Sequence, residues 1–221
     1  ILSYCKELRI SNSLLGFGEY TLSNRALYVL AKCHLIIENC QLINCFAQDV
    51  GSNGNGEGSG ILYKVDESIS RDAANSDIEE DISITGTTFS NCRSSSNSET
   101  AGAAVTLYIN SNITFEHNTI SNCRKGSMIL SIIGQQPIYN FVLDDCIFEN
   151  NKCTINGGGG TGIYMAHADT TADNLLTFDS CIWKQNLASY QGGAFAIDNE
   201  RTTVFFNSCH FDSNKANGGN G

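Results

Sequence analysis

Hydrophobic residues recur in six segments of the chain with the same spacing and without gaps. Apolar side chains occupy positions 1, 3 and 8 of each segment, as Leu35, Ile37 and Leu42 do in the first. Alternation over positions 1 and 3 predicts a short strand with one buried face, and position 8 predicts a second strand after a turn. The segments span residues 35–45, 82–92, 113–123, 141–151, 176–186 and 204–214.

A third strand is predicted after a loop of variable length, where small residues precede an apolar run. These runs span residues 59–63, 102–109, 126–133, 160–166 and 192–197. Successive segments start 47, 31, 28, 35 and 28 residues apart, and a fixed motif with variable insertions is typical of a solenoid. The sequence therefore predicts an all-β parallel β-helix of about six to seven coils. Residues 35–221 form its repeats, truncated within a repeat at the C-terminus, and residues 1–34 are expected to form degenerate or capping coils.

Composition narrows the classes of function. The formal net charge is −10 and 16% of the residues are charged. Nucleic-acid binding is not expected, because contacts to phosphate need clustered Lys and Arg. The sequence contains no run of 18 apolar residues, so no membrane span is expected within this segment. The ten cysteines include no CxxC pair, so a zinc ribbon or a thioredoxin-like motif is unsupported.

Positions 6 and 11 are predicted to point inward, and both carry Cys in several copies. Stacked neighbours would lie ~4.8 Å apart, within reach of a disulfide, so vertical disulfides or metal-binding thiolates are alternatives. Their Cβ vectors run parallel, however, and a column of three cannot pair completely. We therefore expect structural ladders of unbridged thiols, continued by stacked asparagine amides. The ladder residues are Cys45, Cys92, Cys123, Asn151, Asn186 and Asn214 at position 11, and Cys146, Cys181 and Cys209 at position 6.

Charged residues are predicted to stack on two separate edges. Glu116, Asp144 and Asp179 share position 4, which makes them candidate calcium ligands, although solvated turn carboxylates are the default interpretation. The basic residues at position 12 are Arg93, Arg124, Lys152 and Lys215. No catalytic or cofactor-binding motif is found, so no cofactor other than calcium is considered. Asn112 begins a glycosylation sequon.

The C-terminal copies carry a more specific pattern, namely Phe148-Glu-Asn-Asn151 and its counterparts, followed in one copy by Gly192-Gly-Ala194. This pattern resembles the FxxN and GGA repeats of the chlamydial polymorphic outer-membrane proteins and similar repeats in surface proteins of some protists. The resemblance implies a right-handed β-helix that is displayed outside the cell and is commonly associated with adhesion.

These observations predict a non-catalytic extracellular or cell-surface scaffold for adhesion or assembly. Its expected partners are other protein chains or cell-surface glycans, with self-assembly as a further possibility. Variable loops, such as the acidic segment 66–81, are expected to form the binding face. The alternative is a carbohydrate-active β-helix enzyme, either a polysaccharide lyase or a glycoside hydrolase, because fold alone does not exclude one.

Overall fold

A computed structural model gives the fold of the chain. It describes residues 6–16, 26–30, 33–47, 59–64, 81–94, 104–109, 112–132, 141–153, 163–166, 173–189, 192–197 and 201–218. Most of the predicted loop residues, including 66–80, lie outside the described residues. Of the ten cysteines, Cys5 also lies outside them.

Three parallel sheets dominate the described residues, and each coil contributes one strand to a sheet. The first sheet contains position 1 to position 4 of the motif and has seven strands. Its members are β1 (Glu7–Ser11), β4 (His34–Glu38), β8 (Asp81–Thr85), β12 (Asn112–Glu116), β15 (Phe141–Asp144), β19 (Asn174–Asp179) and β23 (Thr202–Asn207). Every pairing in it is parallel, and the pairings among the six aligned segments follow the register that the sequence pattern predicts.

The second sheet contains positions 7 to 9 and is also seven-stranded and parallel. Its strands are β2 (Leu14–Gly16), β5 (Gln41–Ile43), β9 (Thr88–Ser90), β13 (Thr119–Ser121), β16 (Ile147–Glu149), β20 (Ile182–Lys184) and β24 (His210–Asp212). Seven strands in each of these two sheets correspond to seven stacked coils among the described residues. The prediction of a parallel β-helix is therefore confirmed.

The third sheet is formed by the apolar runs that follow the variable loops. Its strands are β3 (Leu27–Val29), β7 (Ile61–Lys64), β11 (Val105–Ile109), β14 (Met128–Ile132), β18 (Ile163–Ala166) and β22 (Phe195–Ile197). Two short parallel groups at positions 12 and 13 were not predicted. They consist of β6 (Phe46–Ala47) with β10 (Arg93–Ser94), and of β17 (Lys152–Cys153), β21 (Leu187–Ala188) and β25 (Lys215–Ala216).

Two sharp corners flank the second sheet, and each turns on one residue with a left-handed backbone. We call them the first corner, at position 5, and the second corner, at position 10. Their φ angles lie between 48° and 58°. Asn visits this region more readily than most residues, which explains the Asn-rich position 10. Position 5 carries Asn12, Asn39, Gly86, His117, Asp145, Ser180 and Ser208, and position 10 carries Asn44, Asn91, Asn122, Asn150, Gln185 and Ser213.

The core consists of columns of like side chains that stack along the axis. Phe148 and Trp183 stack with ring centroids 5.5 Å apart, and Trp183 and Phe211 with centroids 4.7 Å apart. Such pairs contribute about 0.5–1.5 kcal/mol beyond their area burial. The apolar register at position 8 predicts that Phe148, Trp183 and Phe211 form one buried column; the column exists, but its burial is incomplete at one end. Phe211 is 47% exposed, because no coil among the described residues covers it.

The first coil follows the motif more closely than the alignment of the six segments indicated. Leu8 pairs with Leu35, and Leu15 pairs with Leu42, so positions 1 and 8 are occupied as in the later coils. The described part of residues 1–34 thus contributes a strand to each of the three large sheets. Leu8, Ile10 and Leu15 are only partly buried against the core, whereas Val29 is fully buried.

The Gly-Gly pair before β22 is explained by close approach of the backbone. A Cβ atom on Gly193 would lie 2.7 Å from the backbone nitrogen of Lys215 in the next coil. Real Cβ atoms do not come this close to a backbone atom, so a larger residue would push the two coils apart. The small residues of the GGA pattern are therefore a packing requirement of the coil.

Candidate functional site

At position 11 the last three coils carry an inward asparagine ladder. The Nδ2 group of Asn186 donates to the carbonyl of Phe148 at 2.8 Å and to Oδ1 of Asn214 at 2.9 Å. Its Oδ1 accepts from the backbone N–H and from the side-chain amide of Asn151, both at 3.1 Å. One amide thus bonds a peptide carbonyl and a peptide N–H of the preceding coil at the same time. The same carbonyl contact joins Asn151 to Ile120 and Asn214 to Trp183.

Cysteine occupies the equivalent inward position in the three coils before this ladder. The Sγ atom of Cys92 lies 3.6 Å from the carbonyl of Leu42, which is the position-8 carbonyl that an asparagine would contact. Position 6 repeats this geometry at the first corner, where Sγ of Cys146 lies 3.1 Å from the carbonyl of Phe115. A thiol is a weak donor, so Cys supplies the donor function of the amide in weaker form. The nine cysteines within the described residues are free thiols.

Two of the stacked thiols, those of Cys45 and Cys181, have raised pKa values and stay protonated. The hydrogen-bonded thiol of Cys92, together with burial, raises the pKa of Cys45 well above its usual value. Hydrogen bonding to Cys146, followed by burial, raises the pKa of Cys181 in the same way. Because the thiolate is the nucleophile and the metal ligand, protonated buried thiols suit neither role. Cys45 and Cys181 therefore contribute to packing between coils.

The acidic residues line the first corner as a single column. Glu116 pairs in register with Asp144, and Asp144 with Asp179, at the ends of β12, β15 and β19. One position further, Nδ1 of His117 lies 3.1 Å from Oδ2 of Asp145, and both side chains are exposed. In the part of the chain that the structure describes, no group of three or more His, Cys, Asp or Glu side chains is arranged to hold a metal ion. The calcium candidates are thus stacked but not gathered into a binding group.

The basic residues line the second corner in the predicted column. Arg93 pairs with Arg124 and Arg124 with Lys152 through parallel bridges, and the column continues through Leu187 to Lys215. The three-residue strands of the second sheet separate this basic column from the acidic one. These two columns therefore lie on different corners of the coil, and Glu149, Lys184 and Asp212 form a column of mixed sign on the second sheet between them.

A surface recess of about 170 Å³ lies beside this basic column. We call it the basic recess. Two cations and three corner amides account for most of its lining, and a buried thiol completes it. The lining residues are Asn91, Asn122, Cys123, Arg124, Asn150 and Lys152.

The recess coincides with an irregular coil. Most other coils form a two-residue strand at positions 12 and 13, but at Arg124 only isolated bridges are found. The chain turns at Lys125, whose φ is 81°, and at Gly126, whose φ is 107°, and it enters β14 at Met128. The carbonyl of Lys152 accepts the backbone N–H of Lys125 at 2.6 Å and holds this turn against the next coil. The short link after Arg124 thus interrupts the row of two-residue strands at positions 12 and 13, next to the basic recess.

The two cations of the recess, Arg124 and Lys152, are exposed to solvent. The side chains of Arg124 and Lys152 are exposed and make no ion pair with any residue that the structure describes. They are neighbours in a parallel pairing, where like charges repel each other. Asn122 and Asn150 are exposed beside them, and each amide offers both a donor and an acceptor. The recess is therefore a positively charged, hydrogen-bonding surface on a chain of net charge −10.

Sequence reasoning found the basic column but missed the recess. The available signal was length, because residues 124–127 form the shortest link between position 11 and the third sheet among the aligned coils. Asn112, the first residue of the sequon, is exposed at the start of β12, so the acceptor side chain is accessible.

A family model described as "Right handed beta helix region" matches residues 5–220. This match agrees with the stacked parallel sheets and adds the handedness of the coil. The comparisons with curated proteins and with solved structures found no match. Among the described residues, no helix is long and apolar enough to cross a membrane.

Proposed function

Because the chain belongs to the right-handed β-helix family, we propose that it is a non-catalytic scaffold for adhesion or assembly at the cell surface or outside the cell. The observation that carries this proposal is the stack of seven coils, which repeats the same outward positions in columns along one axis. The likeness of its FxxN and GGA patterns to the chlamydial surface proteins supports an extracellular role. Candidate partners are glycans, other protein chains and further copies of the chain.

A repetitive surface suits multivalent binding. Neighbouring coils lie ~4.8 Å apart, so each outward column presents equivalent groups at a regular spacing. When several weak contacts engage one partner, the later contacts become intramolecular and the overall avidity rises. The inward ladders of amides and thiols hold this spacing, because each links one coil to the next. The scaffold therefore combines weak individual sites with a fixed geometry.

The arrangement of charges favours a scaffold over the alternative, a carbohydrate-active enzyme. Lyase and glycosidase chemistry needs carboxylates at defined separations, or carboxylates combined with calcium and a nearby Arg or Lys. Here the carboxylates of Glu116, Asp144 and Asp179 occupy the first corner, whereas the cations occupy the second. On the second sheet, Glu149, Lys184 and Asp212 form a column of mixed sign on adjacent coils, and this column is where the enzyme alternative has a candidate site.

A combined binding and turnover experiment tests the proposal. The purified chain is immobilised, and retention of acidic polysaccharides, neutral polysaccharides and soluble copies of the chain is measured. Soluble chain is incubated with the same polysaccharides, with and without calcium, and new reducing ends and unsaturated products are assayed. We expect retention of at least one of these partners and no products. Binding to none of them would refute the adhesive or assembling role.

If products form, the carbohydrate-active enzyme would replace the scaffold as the better-supported function. To assign such activity to this chain, Asp144→Asn and Asp179→Asn are assayed beside Glu149→Gln, an acidic residue of the second sheet outside the acidic column. Loss of products in the first two variants alone would locate catalysis at the first corner and overturn the scaffold proposal.

A further inference from the structure

We propose that the basic recess binds the oxyanions of an acidic polysaccharide, such as the carboxylates of a polyuronate or the sulfates of a sulfated glycan. This inference rests on the proposed scaffold function and specifies one class of partner for it. Its residues lie on coils three, four and five, on the opposite side of the second sheet from the acidic column.

Electrostatics gives the first argument. Arg124 and Lys152 are adjacent in the coil stack and exposed, and they make no ion pair with the described residues. An oxyanion between them would relieve their mutual repulsion, and a guanidinium matches a carboxylate or a sulfate with two parallel hydrogen bonds. The attraction is local, because the chain as a whole is acidic.

The amide column gives the second argument. Asn122 and Asn150 line the recess beside the cations, and their left-handed backbones at the corner hold both side chains outward. An amide can donate to and accept from a sugar hydroxyl, which a simple cation cannot do. A site that combines cations with several amides therefore fits a charged sugar better than an isolated inorganic anion.

The column geometry gives the third argument, which concerns the polymeric nature of the ligand. The basic position continues from Arg93 through the recess, and after Leu187 it returns at Lys215. A linear polyanion that lies along the axis would pass one position-12 side chain per coil, at intervals of ~4.8 Å. Among the described residues, no aromatic side chain lines the recess to stack on a base, which favours a glycan over single-stranded nucleic acid.

The test is a binding titration of the whole chain with defined probes. The probes are polyuronate and heparin as two sources of oxyanion, dextran as a neutral glycan, and oligothymidylate as single-stranded DNA. We expect binding of at least one acidic glycan that weakens with added salt, and little binding of dextran or DNA. The double variant Arg124→Gln/Lys152→Gln should lose at least about tenfold in affinity, because each charged contact contributes on the order of a few-fold to tenfold.

The matched control is Lys215→Gln, which removes a charge from the same column but outside the recess. It should change the affinity less than about threefold, as expected for one exposed charge. Circular dichroism and thermal unfolding of each variant check that the coil stack is intact. The side chains of Arg124 and Lys152 are exposed, so their replacement should not unfold it.

Three results would overturn the inference. These are failure of both acidic glycans to bind, unchanged affinity in the double variant, and equal or tighter binding of DNA. If the immobilised chain still retains a neutral glycan or another copy of itself, the scaffold proposal survives while this inference fails. The relative affinities for polyuronate and heparin distinguish a carboxylate from a sulfate ligand.

Discussion

The two halves of the second corner use different side chains for one structural task. In coils two to four the inward position holds Cys45, Cys92 and Cys123, whereas the last three coils hold asparagine. In both halves the side chain approaches the position-8 carbonyl of the preceding coil, as Cys92 approaches Leu42 and Asn186 approaches Phe148. The backbone path is the same, with left-handed corner residues throughout.

The halves differ in how many groups each side chain can satisfy. Asn186 bonds the carbonyl and the N–H of the preceding coil and both neighbouring amides, so it takes part in a continuous chain of hydrogen bonds. A thiol contacts the carbonyl at 3.6 Å in Cys92 and donates only weakly. The cysteine half therefore depends more on apolar packing, and the asparagine half on hydrogen bonding. This difference predicts unequal sensitivity to substitution.

The largest effect is expected from Asn186→Leu. The change leaves the carbonyl of Phe148 and the N–H of Asn151 buried without their amide partner, so the free energy of unfolding should fall by roughly 3–5 kcal/mol. Urea unfolding followed by circular dichroism measures this loss. The control is Gln185→Ser at the adjacent exposed corner, where the next coil already has Ser213, and it should change stability by less than about 0.5 kcal/mol. A loss below about 1 kcal/mol in Asn186→Leu would contradict the ladder.

Exchanging the two solutions should have an intermediate and asymmetric effect. Asn151→Cys keeps a donor near the carbonyl of Ile120 but loses the acceptor for the N–H of Cys123, so we expect a loss of about 1–2 kcal/mol. The reverse change, Cys123→Asn, extends the amide ladder by one coil and should be less destabilising. Paired urea titrations measure both variants. If Cys123→Asn destabilises the chain more than Asn151→Cys does, the halves are not interchangeable and our interpretation is wrong.

The last effect concerns pH, and the Cys92 thiol of the cysteine half should contribute to it. Hydrogen bonding to Cys123 is the first cause that raises the pKa of the Cys92 thiol, and burial adds to it. An unfolded thiol ionises near ~8.5, so above that pH the folded state retains a proton that the unfolded state releases. Stability linked to this thiol is complete below that pH and declines above it, by up to about 1.4 kcal/mol per pH unit.

Unfolding titrations between pH 8 and pH 10 test this dependence. Cys92→Ala should reduce the slope of stability against pH, whereas Asn151→Ala, in the other half, should leave the slope unchanged despite lowering stability. Equal slopes in the wild-type chain and in Cys92→Ala would mean that the thiol does not titrate differently in the two states.

Much of the fold followed from short-range pattern, because buried positions in a coil are encoded by spacing alone. The gapless apolar register placed Phe148 and Trp183 in one column, and their rings do stack. The same reasoning underestimated the first coil, where Leu8, Ile10 and Leu15 keep the spacing but lack the Cys and Asn of the later motif. The first coil was therefore not aligned on the motif, because its polar positions differ although its apolar positions match.

The sequence by itself determined the repeat, its strand register and the residues of each column, since each depends only on which side chains must leave water. The tertiary structure decided what those columns do, because their contacts join residues about 30 positions apart. It showed that Cys and Asn meet the same carbonyl, and that the acidic and basic columns lie on opposite corners. It also produced the basic recess, which coincides with the short link after Arg124.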